Sequence, residues 1–383
     1  MPDMRIPFNR PTVLGKELAN IEEALTTAHL SGDGPFTLRC HQWLESTLGS
    51  KKALLTHSCT AALEMAAMLA DLGPGDEVVM PAFTFVSTAN AVVLRGATPV
   101  FVDIRADTLN LDETLVEQAI TPRTRAILPV HYAGVACEMD VLMDIAARHQ
   151  LLVIEDAAQG LLSTYRGRPL GTIGELGALS FHETKNVIAG EGGALLVQDE
   201  RLIGRAEIIR EKGTNRSSFF RGQVDKYTWV DIGSSYLPSE IIAAFLHAQL
   251  EAARELTDKR RRAWTRYHDA FADLEDAGVV RRPIVPPECG HNAHLYYLLL
   301  PTLAARTATL ARMKERGVAA LFHYVPLDSS PAGRKFARTS GDLAITHDLS
   351  DRLVRLPLWP NLSDAEVDAV IDVARDTIVS ATR

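Results

Sequence analysis

Lys185 follows the apolar run Gly177-Ala178-Leu179-Ser180-Phe181 and precedes Gly190-Glu191-Gly192-Gly193. A loop lysine is ordinarily solvated. One held at a closed rim can lose its proton and attack a carbonyl. The glycines permit tight turns and close backbone approach around it. Asp156 ends the run "LLVIED", with Gln159 just beyond. An aspartate there could cap a turn or hold the protonated nitrogen of a heterocyclic ring. In "THSCTAALEMAAMLA", Ser58 reads as a helix N-cap before Cys59 and Thr60. A helix start suits a phosphate; a merely capped core helix is the plainer alternative. Phe85 is either core or a platform for a flat ring, and Ser180 either a strand serine or a phosphate ligand.

These residues need elements to bring them together. Strands are expected at Glu77–Met80, Pro99–Val102, Ala126–Val130, Leu151–Ile154, Ala178–Phe181 and Ala194–Val197. They are continuous apolar runs, as strands covered on both faces are. Helices are expected at Thr60–Leu72, Thr84–Arg95, Asp112–Ala119, Met139–His149 and Arg201–Lys212. The alternation predicts an α/β fold with a mostly parallel sheet flanked by helices. Ligands bind beyond the carboxyl ends of such strands. "THSCT", "EDAAQG" and "HETK" would then meet at one rim. After about residue 240 the character changes. A long helix over Ile241–Phe271, a strand over Leu295–Leu300 and a terminal helix from Ser363 predict a smaller C-terminal α+β domain. The length of 383 residues fits two domains, 1–250 and 251–383.

Composition narrows the classes. The chain is 46% hydrophobic and 23% charged. The formal charge of −8 argues against nucleic acid as a partner. No apolar run is long enough for a membrane span. "MPDMRIPFNRP" lacks a basic-then-apolar leader, which predicts a cytoplasmic protein. Cys40, Cys59, Cys137 and Cys289 are far apart and show no metal spacing, so no metal is expected. "GTIGELG" has the wrong spacing for a dinucleotide loop.

A phosphate cup, a ring-stacking aromatic, an aspartate with a glutamine, and then a lysine have the order and chemistry for pyridoxal 5′-phosphate. From "IPFNRP" to beyond "HYVPL" the chain resembles the DegT/StrS family of nucleotide-sugar aminotransferases. The blocks are "DGPFTLRCHQWLE", "LTHSCTAALEMA", "PVHYAGVACEMD", "VIEDAAQG", "SFHETKN" with "GEGG", and "REKGTNRSSFFRGQVDKYTW". The resemblance implies the type I fold of aminotransferases that use this cofactor. It makes Lys185 the lysine that bonds the cofactor, Asp156 the partner of the pyridine nitrogen, and Gln159 the neighbour of the ring hydroxyl. Phe85 falls where the family stacks an aromatic. Ser58, Cys59, Thr60 and Ser180 fall on the phosphate. The family also sends an asparagine across a homodimer interface in a Gly-x-Asn-x-Arg segment. Here Ser235 and Leu237 replace the asparagine and arginine.

The last two blocks resemble the branch that aminates C-4 of dTDP-4-keto-6-deoxyglucose, with L-glutamate as donor. Arg216, Arg221 and Lys226 stand among Phe219, Phe220, Tyr227 and Trp229 and could meet a nucleotide diphosphate. His182, His323 and Tyr324 could line a sugar pocket. The alternatives are amination at C-3, a dehydratase of the same family, and a non-catalytic relative. The dehydratase branch carries histidine where Lys185 stands. Intact Lys185, Asp156 and Gln159 argue against a non-catalytic relative.

Overall fold

The computed structural model describes residues 5–382. Its first five strands are β1 (Lys52–Thr56), β2 (Glu77–Pro81), β3 (Thr98–Val102), β4 (Thr124–Ile127) and β5 (Leu152–Asp156). A short hairpin follows, β6 (Thr164–Tyr165) and β7 (Arg168–Pro169). β8 (Leu176–Ser180) and β9 (Gly193–Val197) flank the Lys185 loop. β10 (Cys289–Gly290), β11 (Tyr296–Leu299), β12 (Arg338–Thr339) and β13 (Leu353–Leu356) complete the strands.

Eight of these form one sheet in the order β1-β9-β8-β5-β4-β2-β3-β12. β9 is antiparallel to both neighbours, and the other pairs are parallel. The sheet is therefore mostly parallel and wrapped by helices, as the alternation predicts. Its two faces separate cleanly. Leu55, Val79, Val153, Leu179 and Leu196 pack in one apolar cluster. Their neighbours Leu54, Val78, Ile154, Ala178 and Leu195 pack in another on the opposite face. Successive side chains point to opposite faces, so a strand covered on both sides must be apolar throughout.

The expected long helix divides in two, Glu240–Glu251 and Ala253–Ala270. Ala252 between them leaves helical geometry at φ −96° and ψ 5°. Ala243, Ala244, Leu246 and Leu250 pack in the first sheet cluster. Ala263, Trp264, Tyr267 and Phe271 belong to a third cluster with Tyr296, Leu298, Val354, Trp359 and Val370. The two halves serve different cores. The expected helix Asp112–Ala119 is a 3₁₀ turn, Glu113–Leu115, followed by one turn, Val116–Ala119. Strand β1, which the sequence reading lacks, is only five residues and begins with a lysine.

Glu240 is fully buried at the start of its helix. It accepts from the amides of Gly34 (3.1 Å), Phe36 (2.8 Å) and Thr37 (3.0 Å), and from the Thr37 hydroxyl. Those amides open the helix Pro35–Leu48, whose first N–H groups have no intrahelical acceptor. Glu240→Ala should cost about 3 kcal/mol, because several buried donors lose their acceptor together. Urea denaturation checks this; a loss of under about 1 kcal/mol would contradict it.

Candidate active site

The parallel strands end at one rim, and β9 begins there. A cavity of about 820 Å³ opens at this rim. Ser58, Cys59, Thr60, Phe85, Asp156, Gln159, Ser180, His182, Lys185, His323 and Tyr324 all line it. β1 delivers the helix Cys59–Leu69, β5 ends on Asp156, and β8 ends on Ser180.

The helix start is built by close packing. Ser58 caps it, its Oγ accepting from the Ala61 amide at 3.1 Å. That leaves the earlier amides of the first turn without helical acceptors. The backbone of Ser58 and Cys59 rests on Gly193. A methyl at Gly193 would overlap the Ser58 carbonyl carbon and the Cys59 nitrogen. Thr60 Oγ1 pairs with Ser87 Oγ at 2.8 Å. The Cys59 thiol is pushed well up by burial and then by Asp156, so it stays protonated.

Lys185 sits in the loop between β8 and β9. Its amide donates to the His182 carbonyl at 2.9 Å. Glu183 N bonds Gly190 O at 2.9 Å, and Phe181 N bonds Gly192 O at 2.8 Å. Gly190 closes this turn at φ +79°. Burial lowers the Lys185 ammonium from its usual pKa, while Cys59 and Asp156 pull it back up. The neutral amine, the nucleophilic form, becomes easier to reach.

Asp156 is 5% exposed. Thr88 donates to its Oδ2 at 2.7 Å and the Ala158 amide to its Oδ1 at 3.1 Å. Thr84 in turn pairs with Thr88 at 2.8 Å. Glu155, one residue earlier, points to the other face. It bonds His131 Nε2 at 2.8 Å and accepts the amides of Gly171, Ile173 and Gly174. The strand end carrying Asp156 is thereby pinned from behind.

The far wall comes from distant sequence. Gln159 accepts from Ala133 N at 2.7 Å and donates to the Tyr324 hydroxyl at 2.9 Å. Tyr324 takes a positive φ of 26°, strained for a side chain of its size. It stacks on His323 at 3.6 Å between centroids. His323 Nδ1 pairs with Tyr132 OH at 2.8 Å. Burial first, then Arg355 and Lys185, hold His323 well below its usual pKa, so it is neutral. Asn186, next to Lys185, donates to Asn292 O at 2.7 Å, and its carbonyl oxygen meets His294 Nδ1 at 3.0 Å. His294 is also neutral, for burial lowers it strongly. Arg260 donates Nε to Ala293 O at 3.0 Å and Nη2 to His294 O.

Four expected residues do not line the cavity. Arg216 pairs with Glu211 at 3.4 Å and Arg221 with Glu207 at 2.8 Å. Lys226 is exposed in the same segment. Ser235 is exposed and forms an isolated bridge with Glu211. Phe85 stands at the cavity mouth, 57% exposed. Thr88, Asn186, His294, Arg260 and Arg355 escaped the sequence reading. Asn186 adjoins Lys185 and Thr88 lies three residues past Phe85, so spacing could have found them. The other three carry no local signal.

A buried aspartate at one strand end, a lysine past the next, and a capped helix start between them define an aminotransferase site. Residues 12–375 match the model of the DegT/DnrJ/EryC1/StrS aminotransferase family. The chain belongs to that family. It is 34% identical over 384 residues, 98% of each chain, to spore coat polysaccharide biosynthesis protein SpsC from Bacillus subtilis. Aminotransferase TlmJ from Streptoalloteichus hindustanus superposes with a TM-score of 0.89 at 29% identity, over 98% of this chain and 99% of that one. PseC from Helicobacter pylori, an aminotransferase of pseudoaminic acid biosynthesis, gives 0.90 at 26% identity, over 98% and 99%. The chain is a sugar aminotransferase dependent on pyridoxal phosphate.

Gly193→Ala should lower cofactor affinity at least about tenfold, since the helix start must move off its seat. Titration of cofactor-free protein, read by visible absorbance, measures this. Unchanged affinity would show that the Ser58–Gly193 contact does not shape the phosphate end.

Proposed function

We propose that the protein transfers the amino group of L-glutamate to C-4 of dTDP-4-keto-6-deoxyglucose. The observation that carries the amino-transfer part is the meeting of Lys185, Asp156 and the Ser58–Thr60 helix start in one cavity. The residues fit the cofactor: a buried carboxylate for the ring nitrogen, uncapped amides for the phosphate, and a lysine whose charged form is disfavoured by burial. When bound, pyridoxal phosphate supplies an electron sink for a carbanion beside the amino nitrogen.

The chain's residues do the rest. Lys185 would bond the cofactor through Nζ and, once released, would take the proton from the donor's α-carbon and in the second half-reaction place one on C-4 of the sugar. Asp156, held by Thr88, keeps the ring nitrogen protonated. Gln159, held by Ala133 and Tyr324, would meet the ring hydroxyl. Ser58, Cys59, Thr60 and Ser180 would take the phosphate, and Phe85 would cover the ring. His182, His323 and Tyr324 line the sugar side. Glutamate leaves as 2-oxoglutarate before the keto sugar enters, so one cavity serves two substrates in turn.

The working form is proposed to be a homodimer. Phe220 is 69% exposed and Trp229 77%, with Tyr227, Val230 and Ile232 also exposed beside them. Such a patch marks an interface. A second copy seated there would bring Ser235 and the Arg216–Lys226 segment to its neighbour's cavity. The C-4 choice rests on the "SFHETKN" and "REKGTNRSSFFRGQVDKYTW" blocks. The likeness to a spore coat polysaccharide protein supports a surface glycan as destination.

Purified protein given glutamate and the 4-keto sugar should yield the 4-amino-4,6-dideoxy product by NMR. Amination of the 3-keto sugar alone would overturn the C-4 reading. Lys185→Ala should bind cofactor and slow transfer by roughly 1,000-fold, with no group left to carry the proton. Asp156→Asn should cost roughly 100-fold, the effect of two pKa units at the ring nitrogen. Near wild-type turnover in either variant would refute that residue's role.

A further inference from the structure

His294 is a buried imidazole in the cavity wall that the amino-transfer chemistry leaves unused. It follows Ala293, which stands at φ +52°, in the left-handed region that side chains rarely adopt. Arg260 holds the bend, with Nε on the Ala293 carbonyl at 3.0 Å and Nη2 on the His294 carbonyl. Such outliers persist only where the surroundings enforce them.

The neighbours also fix the tautomer of the ring. Asn186 donates Nδ2 to the Asn292 carbonyl at 2.7 Å. A carbonyl only accepts, so the amide NH2 must face Asn292 and the amide oxygen must face His294. That oxygen also only accepts, and it lies 3.0 Å from His294 Nδ1. Nδ1 therefore carries a proton. Burial first, then the charges of Lys185 and Arg260, hold the ring well below its usual pKa. A neutral imidazole has one ring proton, so Nε2 is a bare lone pair. Among the described residues the bond to Asn186 is the ring's one hydrogen bond.

A bare acceptor in a cavity wall calls for a donor from the substrate. Asn186 directly follows Lys185, so the ring it holds stands on the side where the reacting carbon must lie. An α-amino acid brings a carboxylate there, which only accepts, and its nitrogen is the atom transferred. A keto sugar brings a hydroxyl on the carbon beside its ketone, which can donate.

We propose that His294 Nε2 accepts a hydrogen bond from the hydroxyl adjacent to the sugar's ketone, which makes His294 a specificity-determining residue of the second half-reaction. This rests on the sugar-aminotransferase reading of the site but not on the ring position. A ketone at C-3 or at C-4 adjoins a hydroxyl-bearing carbon in either case.

Two variants separate the roles of the two ring nitrogens. H294N keeps a donor for Asn186 and loses the cavity acceptor. H294Q reaches far enough to offer an acceptor again. Protein brought to its amine form by glutamate is given the keto sugar that it aminates, and half-saturation is read from the cofactor's visible absorbance. In H294N the sugar's half-saturating concentration should rise roughly 10-fold relative to glutamate's, as for one lost hydrogen bond. H294Q should recover part of that loss. A sugar lacking the hydroxyl beside the ketone should show no difference between wild type and H294N, because the bond is already missing. 15N NMR of histidine-labelled wild type, with H294N assigning the signal, reads the tautomer without any substrate. It should show Nδ1 protonated and Nε2 bare. Far-UV circular dichroism and cofactor colour report folding of each variant. Equal losses on both sugars, no loss on either, a rise for glutamate alone, or a proton on Nε2 would each overturn the proposal. Amination at C-3 instead of C-4 would overturn the regiochemistry proposed above and leave this test in place.

Discussion

The site depends on the register of two parallel strands. β5 and β8 pair with Asp156 opposite Ala178, and the Ala157 amide bonds the Ala178 carbonyl at 3.0 Å. This register sets Asp156 at the rim two residues before β8 ends at Ser180. Lys185 then needs only a short loop to reach the same cavity. A slip by one residue would turn Asp156 to the opposite face and Glu155 into the cavity. Glu155 opposes such a slip, for its carboxylate is spent on His131 and three amides behind the sheet.

The second dependence is on closure. The rim alone would leave Lys185 in water, where it would stay protonated. The C-terminal segments supply the lid side, through Asn186 to Asn292 and His294, and through Arg260 to the carbonyls beside them. These bonds join the Lys185 loop directly to the 292–294 segment. The dry wall lowers the Lys185 pKa and keeps His294 and His323 neutral. One act of burial therefore lowers three pKa values together.

The sheet and its rim were legible in the sequence because doubly covered strands are apolar over most of their length, and β2, β8 and β9 are buried at every position. Met139–His149 was legible as a helix from its periodicity and stands over those residues. Lys185 and Asp156 were legible because each directly follows or ends a strand. Arg355, Arg260 and His294 were not. They reach the cavity from elements more than 70 residues beyond Lys185, and nothing local distinguishes them from surface charges. The break at Ala252 was hidden too, since alanine carries no stop signal and the turn there serves two separate cores. The basic segment Arg216–Lys226 was visible as chemistry, but its place relative to the cavity was not.

The central claim is that Lys185 is the amine this cavity exists to shield. Borohydride reduction of the cofactor-loaded protein, followed by peptide mapping, tests it most directly. The account requires the reduced cofactor on the peptide bearing Lys185 and on no other lysine. Label on a different lysine, or a protein that stays colourless with added pyridoxal phosphate, would contradict it.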